Sequence, residues 1–522
     1  MLISRALSRL WPAIVLVACG QGFLRPALLP HQELPTRAPG DTLKVHMNSG
    51  HLYVLDTWSV DTTTRQVAGA GMHYDLARNG IGDTAIVVPL DSVAVFETNT
   101  RDAAYAFGLQ GIAVFTGLGV YISAVCLADP KSCFGSCPTF YIEGDEPDRV
   151  QAEGFSASVA RALEARDVDA LPRANAKGRR LRLHMRNEAL ETHAVRAVSL
   201  LVAPRPANGR VFAADDTTFY AASNLTAPIA CTSAEGECLK AIAQLDGVER
   251  SSASDSLDLA AREQIELTFA SVPQNAGLVL TGRNSLVTTF LFYQTLAYLG
   301  SNAGALLASM ERGGRSHAAS HFGMARLLGP IEVQIRDGSD WRTVGSFGEP
   351  GPIAADTKVI PLRGLPPSDS PVHVRLRLAK GNWRIDRASL ATLGAPVTPA
   401  RVLPTSVERN GQADVRALAA LHRNGERLVS LPGDDYRIVF DLPHPAESLE
   451  IFLESEGYYY EWMRREWLAE ENPMMAALVV FNPAQALRQL APAYKSGESR
   501  MEQLFWESRF HRTEKGSRES RP

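Results

Sequence analysis

Cysteine is scarce in this chain, six residues in 522, which is too few for a disulfide scaffold. A basic surplus is missing as well. Lys and Arg number 53 against 57 Asp and Glu, a net charge of −4, which argues against a dedicated nucleic-acid binder because phosphate neutralisation needs a basic domain. No glycine-rich phosphate loop occurs, and no carboxylate pair has a spacing suited to acid–base chemistry. Internal repeats are absent too. What the chain does have is apolar content, 45% of its residues, enough to bury several cores and to exclude disorder for most of its length.

The amino terminus reads as an address. Arg5 and Arg9 precede an apolar run from Leu10 to Ala18 that is too short to span a bilayer, the layout of a secretory signal over 1–18. The run ends in Leu16-Val17-Ala18-Cys19, which resembles a bacterial lipobox. That resemblance implies acylation of Cys19, so that the lipid bilayer is the first expected partner. Loss of 1–18 removes two arginines and leaves 51 basic against 57 acidic residues, a charge of −6. Gly20 and Gln21, rather than Asp, follow the anchor, which favours the outer membrane of a Gram-negative envelope.

The pattern predicts an α+β, predominantly β, multi-domain protein. Residues 19–40, with Pro26, Pro30, Pro35 and Pro39, read as an extended tether. Short alternating runs over 41–100 predict a small β-barrel or sandwich. Residues 101–128 include 26 without a charge, Ala103 to Ala128, and two readings stay open: a spanning helix or a packed hairpin. A mixed region with buried helices follows over 129–325, in which a helix from Leu286 should stop at Gly300 and another should cover Asn302 to Arg312. Five alternating strands over 326–395 predict a β-sandwich whose pattern resembles galactose-binding-like jelly rolls. Strands and then aromatic helices, Tyr458 to Leu468 and Glu498 to Phe510, fill 396–510, and 511–522 is a polar tail.

Chemistry concentrates at Cys133-Phe134-Gly135-Ser136-Cys137-Pro138-Thr139, preceded by Cys126. This segment, with Gln151 to Ser156 and Leu163 to Asp169, resembles a signature of uncharacterised bacterial envelope lipoproteins. The resemblance implies an envelope lipoprotein and no particular activity. Cys133 and Cys137, four apart around Gly135, are placed to pair across a tight turn, and Cys231 and Cys238 to close a hairpin, which leaves Cys126 as either a buried free thiol or a competitor for Cys133 or Cys137. The Cys-x3-Cys-Pro spacing is also similar to the copper-binding pair of Sco-type thioredoxin-fold proteins, which gives a thiol–disulfide or copper-handling alternative at Cys133 and Cys137. No metal or other cofactor is otherwise expected.

Two further patterns fall short of a catalytic set. His317 and His321 share a helix face, but Ala318 stands where a zinc protease needs its glutamate. Gly154-Phe155-Ser156-Ala157-Ser158 has Ser158 where a nucleophile elbow needs glycine. Trp341 and Trp383 in the sandwich, and Tyr458 with Trp462 at helical spacing, are the candidate ligand surfaces. The expected function is therefore a non-enzymatic binding or scaffolding lipoprotein of the cell envelope, with an envelope protein or a glycan as partner and glycan binding through 330–395 as the other alternative.

Overall fold

The computed structural model describes residues 23–30, 43–47, 51–74, 80–102, 137–146, 149–174, 178–300, 303, 323–348, 350–422, 426–461 and 470–508. The chain divides into two units, residues 1–118 and 119–522.

In the first unit, β1 (Phe23–Pro30), β2 (Leu43–Met47), β3 (Leu52–Asp61), β4 (Gln66–Tyr74), β5 (Gly80–Pro89) and β6 (Val93–Asp102) form one antiparallel sheet in the order β1-β6-β2-β3-β4-β5. Alternation in β2 turns Leu43, Val45 and Met47 inward, where they join Leu55, Trp58, Val67, Ile86 and Phe96 in a single core. A Cβ at Gly71 would collide with the Val54 carbonyl, so glycine is what lets β3 and β4 coil closely at their bulge. The stretch expected as a tether contains β1, which pairs with β6 from Phe23 opposite Asp102 to Pro30 opposite Val95. Its prolines are tolerated because β1 is an edge strand, where a missing N–H breaks no second ladder.

The second unit contains β7 (Thr139–Ile142), β8 (Ala152–Glu153), β9 (Ala165–Ala170), β10 (Arg180–Arg186), β11 (Glu191–Pro204), β12 (Gly209–Ala213), β13 (Phe219–Thr226), β14 (Ala230–Ser233), β15 (Gly236–Glu237), β16 (Arg262–Phe269) and β17 (Ala276–Asn284). Helix α1 (Val287–Leu299) and the short α2 (Gly323–Leu328) come next. Then follow β18 (Ile331–Asp337), β19 (Asp340–Phe347), β20 (Asp356–Pro361), β21 (Val372–Ala379), β22 (Trp383–Val397), β23 (Ala400–Val402), β24 (Ser406–Arg409) and β25 (Gln412–Ala413). The chain ends with α3 (Val415–Leu421), β26 (Leu428–Ser430), β27 (Asp435–Asp441), β28 (Leu449–Glu461), α4 (Pro473–Phe481) and α5 (Pro483–Ser508).

These strands build two stacked pairs of sheets. The sheet β25-β24-β27-β10-β7-β8 and the sheet β23-β11-β28-β9 share one core, which includes Phe140, Leu183, Met185, Val198, Leu200, Ile438, Phe440 and Leu453. A closed barrel, β12-β13-β22-β17-β20, and the sheet β15-β14-β16-β21-β18-β19 share the other, which includes Leu267, Leu278, Val333, Leu376, Trp383 and Ile385. A third contact, Val168, Leu201, Val211, Phe219 and Phe452, ties the barrel to the β9–β28–β11 sheet. The α1, α2, α4 and α5 helices pack together around Phe290, Leu296, Leu487 and Tyr494. Among the described residues no helix is long and apolar enough to cross a membrane, and 103–128 lies outside them.

The structure therefore has the mostly β, multi-sheet α+β architecture expected, with a helical carboxyl end. All five strands expected over 326–395 form, yet they make no sandwich alone. β20 and β22 enter the barrel, while β18, β19 and β21 enter the facing sheet, and both layers need β12 to β17 from earlier in the chain. α1 stops at Gly300, which adopts a φ of +50° as a helix-terminating glycine does. Tyr458 to Glu461 finish strand β28 rather than begin a helix, because Tyr458 and Tyr460 alternate inward at strand period. The last helix begins at Pro483, well before the expected Glu498.

Trp383 is 1% exposed and meets Phe347 edge-on between the barrel and its facing sheet. Trp383→Ala is expected to cost about 3–5 kcal/mol in denaturant unfolding, whereas Trp341→Ala at the sheet surface should cost about 1 kcal/mol.

Candidate functional site

The perturbed ionisable groups converge where the barrel closes. Its final seam is the parallel pairing of β12 with β20, Ala213 opposite Lys358. Asp356 and Lys358 sit two apart on β20, and Asp167 and Asp169 two apart on β9, so each pair shares one strand face. Asp216 comes from the β12–β13 turn. Its neighbour Asp215 shapes that turn by accepting the backbone N–H groups of Thr217 and Thr218, each at 2.8 Å.

Hydrogen bonds fix the carboxylates. Asp356 Oδ1 accepts the N–H of Ala170 at 3.0 Å and that of Thr357 at 2.7 Å, which stitches β9 to β20. Asp167 Oδ2 accepts the N–H of Phe155 at 2.9 Å, a residue held at a φ of +40°. Lys358 Nζ lies 3.7 Å from both Asp216 Oδ1 and Asp356 Oδ2. Asp169 and Asp356 are 4% and 3% exposed, and Oδ2 of each accepts no hydrogen bond.

Four carboxylates thus surround one ammonium, and the charge balance favours bound protons. Burial pushes the Asp169 carboxyl well above its usual range, and Asp167 and Asp356 add to the shift. Burial raises Asp167 too, although Lys358 opposes it. For Lys358 burial acts downward, but the four aspartates outweigh it and hold the ammonium charged. Asp216 is raised by burial against the pull of Lys358. Asp216, with 41% of its side chain exposed, brings the cluster into contact with water. The arrangement can hold a proton and exchange it with solvent. Among the described residues no group of three or more His, Cys, Asp or Glu side chains is placed to hold a metal ion.

A second buried group adjoins the first. Glu153 on β8 accepts the N–H of Ile353 at 2.8 Å, and its carboxylate occupies the space a side chain at Gly351 would need, a position with a φ of +93°. Burial raises Glu153 to about 8, against the opposing hydrogen bonds from Ile353 and Ala354. Cys137 is buried near Glu153 and Tyr459. Burial pushes its thiol well up, and the charges of Glu153 and Glu191 push it further. Nearby, His193 meets Glu191 at 2.7 Å with both side chains fully buried.

The residues singled out from sequence are scattered. Cys231 and Cys238 form the expected disulfide and close the β14–β15 hairpin. Cys137 is a free, buried thiol, so the expected Cys133–Cys137 pair is not formed. Cys19, Cys126, Cys133, Trp462, His317 and His321 lie outside the described residues. Trp383 is a core residue, and Tyr458, 1% exposed, packs with Ala160, Ala194 and Tyr460, so neither offers a ligand surface. Trp341 is half-buried, with the guanidinium groups of Arg375 and Arg336 at 4.3 and 5.4 Å from its ring centre. Sequence reasoning passed over the aspartate cluster. Its one visible trace is Asp167 and Asp169 at strand period within Ala165–Ala170, since Asp216 and Asp356 reach it only through the fold.

No family model matches the chain, and no curated protein matches it. Among solved structures, the secreted serine protease VesC from Vibrio cholerae aligns with 69% of this chain and 73% of its own at 8% identity, with a TM-score of 0.14. A score that low carries no argument about fold or activity.

The folded chain keeps a proton on Glu153 up to about 8, whereas an unfolded glutamate loses it near 4.3. The folded state therefore binds the extra proton between those values, and stability falls as pH rises through that window, then levels off. Asp167 and Asp169 act with the same sign. In Glu153→Gln the amide oxygen can still accept the Ile353 N–H, and the loss of unfolding free energy between about pH 5 and 8 should shrink. Denaturant titrations across that range test this, and an unchanged slope would mean that Glu153 is ionised throughout.

Proposed function

We propose that this chain is a lipid-anchored, extracytoplasmic protein of the bacterial envelope that binds or scaffolds another envelope component. The observation that carries the reading is the Cys231–Cys238 disulfide. Cytoplasmic thiols are kept reduced, so a stable local disulfide favours an oxidising compartment, in keeping with the signal-like residues 1–18 and the lipobox-like Leu16-Val17-Ala18-Cys19. A single acyl chain binds a bilayer only marginally, so a lipoprotein is held by several chains on one cysteine.

A binding or scaffolding role suits the use made of the buried charges. Asp356 joins β9 to β20. Fully buried Glu454 joins Arg166 of β9, Arg401 of β23 and Ser199 of β11. Glu164 holds Arg196 and Arg427 together. Each joins elements of the fold to one another, which makes a rigid support for a surface. Trp341, with two guanidinium groups over its ring, is the residue of such a surface that a glycan or an envelope protein would meet.

Growth of a Gram-negative host with radiolabelled palmitate, followed by membrane fractionation, tests the anchor. Wild-type chain should carry label and sediment with membranes. Cys19→Ala should lose the label completely and appear in the soluble extracytoplasmic fraction or as uncleaved precursor. An unlabelled wild-type chain, or label that survives Cys19→Ala, defeats the reading.

A further inference from the structure

At one end of the N-terminal sheet two histidines, His51 and His73, meet beside Tyr53, which packs against the apolar core. The register places Val45 opposite Tyr53 and Tyr53 opposite His73, so Tyr53 and His73 lie on the face of the core residue Val45. His51 stands two residues before Tyr53, and its Nδ1 lies 2.8 Å from Nε2 of His73. The two imidazoles are tilted by 32° with centroids 5.0 Å apart. Tyr53 stacks on His73 at 4.3 Å and 18°, which fixes the direction of that ring. All three residues are half-buried. Two ring nitrogens therefore converge at the rim of an apolar core, where a curled sheet commonly holds a ligand.

We propose that His51 and His73 bind one divalent transition-metal ion of the copper and zinc class, through Nδ1 of His51 and Nε2 of His73. Metal–imidazole bonds are about 2.0–2.1 Å, which at tetrahedral or square-planar angles sets two adjacent nitrogens about 2.9–3.4 Å apart. The observed pair needs to open by a few tenths of an ångström and His51 to turn, so that both lone pairs face one point instead of each other. In the metal-free pair one facing nitrogen donates a proton to the other. On binding, the donor ring moves that proton to its other nitrogen, so both facing nitrogens present lone pairs and the net proton count is unchanged. Imidazole donors suit copper, nickel and zinc, and the general affinity order places Cu(II) first. Among the described residues no third His, Cys, Asp or Glu completes the set. The site is independent of the anchor at Cys19, so failure of either proposal leaves the other standing.

The test is titration of the full-length chain in detergent with Cu(II) against a weak competing chelator, read by electron paramagnetic resonance. One ion per chain should bind, with hyperfine structure from two nitrogens, and Zn(II) should compete for it. His51→Ala and His73→Ala should each weaken binding at least tenfold, while His373→Ala, at the surface pair with Glu266, should leave it unchanged. His73→Gln guards against misfolding, because it keeps a polar side chain beneath Tyr53 and should lose the metal while melting like the metal-free wild type. Absence of a two-nitrogen signal in the wild type, or binding retained in the folded His73→Gln chain, overturns the proposal and leaves the two rings as a hydrogen-bonded pair.

Discussion

The second unit depends on how its barrel closes. Five strands curl until β12 meets β20, and a single parallel pair, Ala213 opposite Lys358, completes the ring. One pair is a weak closure by backbone bonding alone. The side chains at the seam supplement it: Lys358 draws in Asp216 from the turn after β12 and Asp356 from its own strand, and Asp356 in turn holds the backbone of β9. The edge of the first pair of sheets is thereby bound to the closing strand of the second. Buried charge is costly unless paired, and here it sits where apolar side chains cannot make the same directional bonds.

Around that seam the layers are interleaved in sequence. From β12 to β22 the chain passes back and forth between the barrel and its facing sheet, and from β7 to β28 the other two sheets are completed by segments nearly the whole unit apart. β28 lies between β11 and β9, so residues beyond 449 are needed to bury those near 165 and 195. The barrel and its facing sheet come from one continuous run, Gly209 to Val397, which interrupts the other stack between β11 and β23.

Several elements were legible because a local pattern meets a local requirement. Arg180–Arg186 reads as alternating basic and apolar residues, and its apolar members turn to the core while the arginines face outward. Gly300 ends α1 where a left-handed residue is needed. Cys231 and Cys238 flank a short hairpin that brings their Cα atoms within 5.0 Å. In contrast, Tyr458-Tyr459-Tyr460 is an unbroken aromatic run with no apolar–polar alternation to mark its period, and pairing with β11 decides for strand. Cys137 misled in the same way: its spacing to Cys133 suggests a staple, but its burial beside Glu153 and Tyr459 comes from β8 and β28.

By itself the sequence determined the elements and the β-rich class, because alternation, turn glycines and helix stops act over a few residues. It also supplied the address-like first nineteen residues, which depend on order along the chain rather than on folding. Tertiary structure alone decided which strands share a layer, since five consecutive strands were divided between two. It also decided which charges meet, because Asp169, Asp216 and Asp356 are far apart in the chain and become neighbours only when the barrel closes against β9. Long-range pairing leaves no local periodicity, so the cluster at the seam, and the convergence of His51 with His73 across a hairpin, could be read only from the folded molecule.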